Sequence, residues 1–557
     1  VVDGTGAGSR VADVGVHDGR IVTIGRVREL AREQIDADGL VVSPGFIDVH
    51  THYDAQVMWD PLLSPSSSCG VTTVVSGNCG FSIAPLGEGD TDADADYVMR
   101  MLARVEGIPV AALTAGPGWD WTSFGSWLAR LEGNLAVNAG FYVGHSTLRR
   151  AVMGEAAVGQ PASPAQLAAM VHLLGRSLDE GGLGFSTTRG TSHNDHRGDP
   201  VPSRFATHDE FVALAAELRR HPRTSLGIMP TMSSYTGETY ELMTAMAAAA
   251  ERPLFWNAIS VRPGDGEPAG RAAKLASADH ARARGAQVFG LALAQPMRMR
   301  LNLASGVLYD SFPGWAEVMH APLAEKMAAL RDPSVRAKLR AGARDAPSPQ
   351  WADWANATVV DVHASALQPL VGRRFGDIAA ARGLDPFDTV LDVALEDQLQ
   401  IGIAPPSAGD DDESWAERVR LWRDSRVVIG GSDAGAHLDM MSAFNGHLAV
   451  VGEAVRDREV LGLEEAVHLL TGEPAARLGL SGRGRLVEGA HADVLVFDAA
   501  RIGPAPVHVR HDLPGGAWRI YGEAEGIEDV IVNGVRVLQV GQPTGARPGA
   551  VVRPGRR

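Results

Sequence analysis

The chain has 557 residues, 45% hydrophobic and 21% charged, with a formal charge of −16 at pH 7. That length suits one large domain with a companion. No run of about 18 apolar residues occurs, so no membrane span is expected, and the negative charge speaks against a nucleic-acid partner, whose phosphates it would repel. Two cysteines, Cys69 and Cys79, cannot frame a disulfide scaffold. They suit a reducing compartment, and a cytoplasmic location is expected. No signal-peptide pattern is visible, and the chain opens at VVDGTG in mid-strand, which leaves room for residues upstream.

Residues 1–43 read as short strands, with a hairpin turn at Asp18-Gly19. PGFIDVHTHYD (44–54) is an apolar strand ending in His50 and His52, with Asp54 beyond. Further strands are expected at 70–78, 138–145, 182–188, 224–231, 253–260, 286–293 and 425–433. Amphipathic helices lie between them, among them 164–181, with Ser163 as N-cap and Pro164 at the first helical position, and 207–221. Eight strands alternating with helices predict an α/β fold, a (β/α)8 TIM barrel over 44–482. An insertion over about 296–424 holds helical runs and an acidic loop, GDDDES (409–414). The far end, 483–557, is β-type again, broken at Asn533-Gly534, and pairs with 1–43 in one small composite β-sandwich domain.

Side chains two apart on a strand share a face, so His50 and His52 aim two imidazoles at one point, and imidazole is a ready ligand for zinc. Cys79, in the turn SGNCGFS after the second strand, offers a thiolate to the same ion. Asp433, at the end of VIGGSDAGAH, can bind the metal or take a proton from metal-bound water, and His437 follows one turn later. These ends all lie where barrels build active sites. His145, Arg149 and Arg150 follow the third strand, and Arg189, His193 and His196 follow the fourth. A guanidinium there suits capture of a substrate carboxylate, which is assigned to Arg189 ahead of Arg149. Asn78 and His145 are expected to line the acyl side of the substrate.

These motifs, with VVDGTG, GVTTVVSGNCGFSIAPL, VGHSTLRRAVMG, GLDPFDTVLDVALED and GRGRLVEGAHADVLVFD, resemble the amidohydrolase superfamily and, within it, the D-aminoacylase (N-acyl-D-amino-acid deacylase) family, over nearly the whole chain. The resemblance implies a barrel with a terminal β-sandwich. It implies zinc held by the H-x-H pair, a metal-bridging cysteine and two further histidines on the fifth and sixth strands, with the eighth-strand aspartate as catalytic acid/base. His50, His52, Cys79 and Asp433 match these motifs. The fifth and sixth strands depart from the family: LGIMPTMSS (226–234) and LFWNAISV (254–261) contain no histidine, and Thr231 and Asn257 or Ala258 stand nearest the missing ligands. One zinc ion is therefore expected rather than two, held by His50, His52 and Asp433 with Cys79 near, and completed by His145, His193 or His437. The expected activity is hydrolysis of a non-peptide amide bond in a small carboxylate-bearing substrate, metal-bound water being the nucleophile. The alternatives are hydrolysis of a cyclic amide or lactam, deamination, or a binding protein without catalysis.

Overall fold

A computed structural model describes residues 1–87, 89, 91–231, 234–262, 267–306, 308–346 and 349–555. All eight expected barrel strands form: Phe46–Asp48, Val71–Ser76, Asn138–Gly144, Gly184–Thr188, Ser225–Met229, Leu254–Ile259, Val288–Ala292 and Val427–Ile429. They are parallel and pair in chain order, the eighth beside the seventh. Nearly every strand residue is buried, as a sheet covered on both faces requires. The barrel closes between the first and eighth strands through a parallel bridge of Thr51 to Ala434.

Local chemistry sets the helix starts. Ser163 and Gln166 form a capping box with Pro164 in the first turn of helix Pro164–Asp179, an arrangement that stabilises a helix by about 1 kcal/mol. Thr207 caps helix His208–Glu217 through its side chain, which accepts the Glu210 N–H. The acidic loop differs from expectation at its end: Asp411 accepts the Ser414 N–H and starts helix Asp412–Trp422. The run WAEVMHAPLAEKMAALRD is two helices, Ala316–Met319 and Leu323–Ala329, since Pro322 cannot continue the first.

Both expected hairpins form. Asp18 and Gly19 sit at φ 46° and 73°, and Asn533 and Gly534 at 46° and 80°, the paired left-handed geometry of a tight turn matching strand twist. Strand Val41–Pro44 pairs with Val494–Phe497 in a five-stranded sheet completed by Ile527–Val532, Val535–Gln539 and Gln542–Pro543. The 13–25 hairpin packs on it through Ile21, Val14 and Ile24 against Leu486, Ala492 and Val494. Residues from both ends thus share one small core.

The insertion has a core of its own, built on Leu301, Tyr309, Phe312, Trp315, Leu339 and Phe387. Its base is pinned to the loop that follows the eighth strand: Met299 bridges Met441, and the Arg300 N–H reaches Met440 O at 2.7 Å.

Candidate metal centre

The first strand runs on past Asp48 to the closing seam. There the His52 N–H donates to Ala434 O (2.8 Å) and the Asp433 N–H to His50 O (3.2 Å), which staples Asp433 beside the H-x-H pair. The His50 and His52 rings meet edge on, centroids 5.3 Å apart. Both direct Nε2 at one carboxylate oxygen, Asp433 Oδ1, at 3.2 and 3.4 Å. Cys79 Sγ lies 3.7 Å from His50 Nε2. One ligand atom from each of His50, His52 and Cys79 fits within a 4.8 Å span.

Cys79 and Asp433 adopt φ 54° and 51°, a left-handed backbone that costs a non-glycine residue free energy and collects at functional sites. Glycines make these turns possible. A Cβ on Gly77 would stand 2.3 Å from Tyr142 O, and one on Gly435 would stand 2.7 Å from the His52 backbone. The Asp54 carboxylate accepts the Gly77 N–H at 2.9 Å, so it shapes the turn that presents Cys79.

Burial would raise the Asp433 carboxyl, but hydrogen bonds from His50 and His52 outweigh it and hold the group well below the usual carboxylate range. Burial pushes the Cys79 thiol up, and the acids Glu106 and Asp433 push it further. Burial lowers His52, with Asp433 opposing. Asp54 is pushed up to about 7 by burial. His52 Nδ1 and Asp54 Oδ1 are buried without a hydrogen-bond partner. Two imidazoles and a thiol whose ligand atoms lie within one 4.8 Å span, beside a carboxylate, match the donor types a divalent transition metal takes.

The other expected residues separate into distinct environments. His145 is turned away from the cluster. Its Nδ1 meets Thr187 Oγ1 at 2.8 Å and its Nε2 meets Glu210 Oε1 at 2.9 Å, and Glu210 also takes Arg149 Nη1 at 2.5 and 2.7 Å, all buried. Neither His145 nor Arg149 faces the mouth, because each is used up by a buried carboxylate. Asn78 donates to Thr51 O and Val75 O, lacing the first two strands together. With His50, Tyr142, Phe255 and Asn257 it lines a small cavity in the lumen below the site. Arg189 lies partly exposed at the end of the fourth strand and pairs with Glu238 at 2.9 Å. His193 bonds Thr188 Oγ1 through Nδ1 at 2.7 Å. Desolvation pushes His193 down to about 3, with the charges of His437 and His52 adding to it. Of the three histidines expected to complete the site, His193 feels the charges of His437 and His52, and His145 packs elsewhere.

On the sixth strand, Asn257 Nδ2 donates to Cys79 Sγ at 3.4 Å. In the fifth-strand stretch LGIMPTMSS, Met232 and Ser233 fall outside the described residues. Glu106 escaped the sequence reading. It sits just past helix Thr91–Val105, 3% exposed, with Oε1 3.4 Å from His52 Nδ1. The available signal was an acid at a helix C-terminus, where the dipole disfavours it.

Against known proteins, a model of the amidohydrolase family matches residues 33–538. The D-aminoacylase of Alcaligenes xylosoxydans xylosoxydans is 29% identical over 99% of this chain and 96% of its own length. The N-acyl-D-aspartate deacylase of the same organism is 30% identical over 100% and 94%. Among solved structures, a D-aminoacylase whose binuclear centre is described as showing one-metal activation and second-metal attenuation superposes with a TM-score of 0.65 at 27% identity, over 99% of this chain and 98% of its own. The N-acyl-D-glutamate deacylase of Bordetella bronchiseptica, complexed with zinc and a phosphonate mimic of the tetrahedral intermediate, does so with a TM-score of 0.65 at 26% identity, over 99% and 97%. The chain belongs to the amidohydrolase family, whose enzymes hydrolyse carbon–nitrogen bonds other than peptide bonds. Among the described residues no helix is long and apolar enough to cross a membrane.

Proposed function

We propose that this amidohydrolase removes the acyl group from an N-acyl-D-amino acid, using one zinc ion held by His50, His52 and Cys79 with Asp433 at the exposed side. The observation that carries the reading is the sharing of Asp433 Oδ1 by both imidazoles beside Cys79, in a chain alike over its whole length to D-amino-acid deacylases. A divalent cation supplies Lewis acidity there, polarising a carbonyl and making water acidic enough to attack near neutral pH. The Asp433 side chain is 30% exposed against 3% for each histidine, so it is the group of the cluster that substrate reaches. Held ionised, it accepts a proton from the attacking water and returns it to the leaving nitrogen. Arg189 exchanges Glu238 for the substrate carboxylate. The reading of a single ion is supported by the fifth- and sixth-strand stretches, which contain no histidine, and by Asn257, whose amide donates to Cys79 Sγ.

The test is turnover by the zinc-loaded protein of N-acetyl-D-amino acids, their L-enantiomers and cyclic amides, with metal per chain measured alongside. Preference for the D-series at one zinc per chain is expected. Turnover confined to cyclic amides would overturn the substrate class.

A further inference from the structure

Helix Thr91–Val105 ends over the site, and the next residue, Glu106, still donates its N–H to Leu102 O at 2.8 Å. Its side chain is buried where the negative end of the helix dipole, Asp433 and Asp54 all disfavour another acid. Such a placement persists when a partner of opposite character offsets it. The available partner is His52, whose Nδ1 has no hydrogen bond and lies 3.4 Å from Glu106 Oε1. A second contact leaves from the same residue: its carbonyl accepts the His437 N–H. The close approach depends on Gly107, at φ 62°, where a Cβ would stand 3.3 Å from His437 Cα.

We propose that Glu106 is a positioning residue for the metal centre: its carboxylate accepts the Nδ1–H of His52, which fixes the tautomer whose Nε2 lone pair faces the metal, while its main chain fixes the Asp433–His437 loop. A histidine that binds metal through one ring nitrogen commonly donates the other to a carboxylate, and loss of that carboxylate weakens metal binding about 10–100-fold. This inference rests on the metal reading of the site.

Zinc affinity is measured by chelator competition on the parent, E106Q and H52A, with the melting temperature of each metal-free protein. E106Q is expected to bind zinc about 10–100-fold more weakly, while its metal-free melting temperature is no lower than the parent's. A merely structural Glu106 would give the opposite pair of results. Zinc affinity of E106Q within about twofold of the parent overturns the proposal. Should E106Q fail to fold, E106D, which draws the carboxylate one methylene back from the ring, is read by the same criterion. A parent whose zinc affinity is untouched by H52A would instead remove the metal reading, and the Glu106 role with it.

Discussion

On the side of the barrel mouth built by the first, second and eighth strands, His50, His52, Cys79 and Asp433 crowd together, and His52 Nδ1 has no hydrogen-bond partner. Beyond the third strand, His145, Arg149 and Glu210 are as polar and as deeply buried, but there Glu210 takes both His145 and Arg149, Thr187 and two main-chain carbonyls add further bonds, and Arg149 Nε is left without a partner. The residue types are the same on both sides: imidazole, carboxylate, cation. What differs is how the groups are matched: His50, His52 and Cys79 bring ligand atoms to one point beside Asp433, whereas Glu210 is paired with the Arg149 cation. A buried cluster whose charges are paired holds the fold, whereas converging imidazole, thiol and carboxylate donors suit a cation.

The contrast can be broken most severely at Asp433. D433N should retain zinc on the histidines and Cys79 and lose about 10³-fold in kcat, the range of a general acid/base; kcat within about tenfold of the parent would end that assignment. At the other cluster, H145A should cost about 2–3 kcal/mol in denaturant unfolding, for a lost buried side chain and lost hydrogen bonds to Glu210 and Thr187, with zinc affinity unchanged. It should also alter the pH profile. Burial holds His145 below its ordinary value, with Glu210 opposing. The unfolded chain therefore takes up a proton that the folded one refuses, and stability falls as pH drops below about 6.5. H145A should shallow that fall by at most about 1.4 kcal/mol per pH unit. The smallest effect belongs to N257H, which returns a histidine to the sixth strand within reach of Cys79. Metal per chain should rise above one only at high zinc, the second ion binding at least about tenfold more weakly, given that a fifth-strand ligand is still lacking.

Much of this was legible in the residues. The period-two spacing of His50 and His52 on an apolar strand dictated one shared face, and Asp18-Gly19 and Asn533-Gly534 dictated their turns. The eight strands followed from apolar runs between helix signals. The fate of His145 did not, because Glu210 arrives from a helix 65 residues later and nothing local announces the pairing. Glu106 was hidden for the same reason: its partner His52 precedes it on another element. Asp54, two residues beyond the H-x-H pair, holds Gly77 and so the Cys79 turn. Strand-borne chemistry shows in sequence because its geometry is local; which buried acid meets which base is decided by tertiary packing.

The seam where the barrel closes also sets a clock. Ser432 binds Asp48 from 384 residues away, and Asp433 follows it. At synthesis rates of about 5–20 residues per second, His50, His52 and Cys79 leave the ribosome tens of seconds before the carboxylate that completes them. Until then the nascent chain carries the H-x-H pair and the thiol without the carboxylate that both imidazoles share. Oxidation of the thiol in that interval would strike a residue that is buried once the barrel has closed.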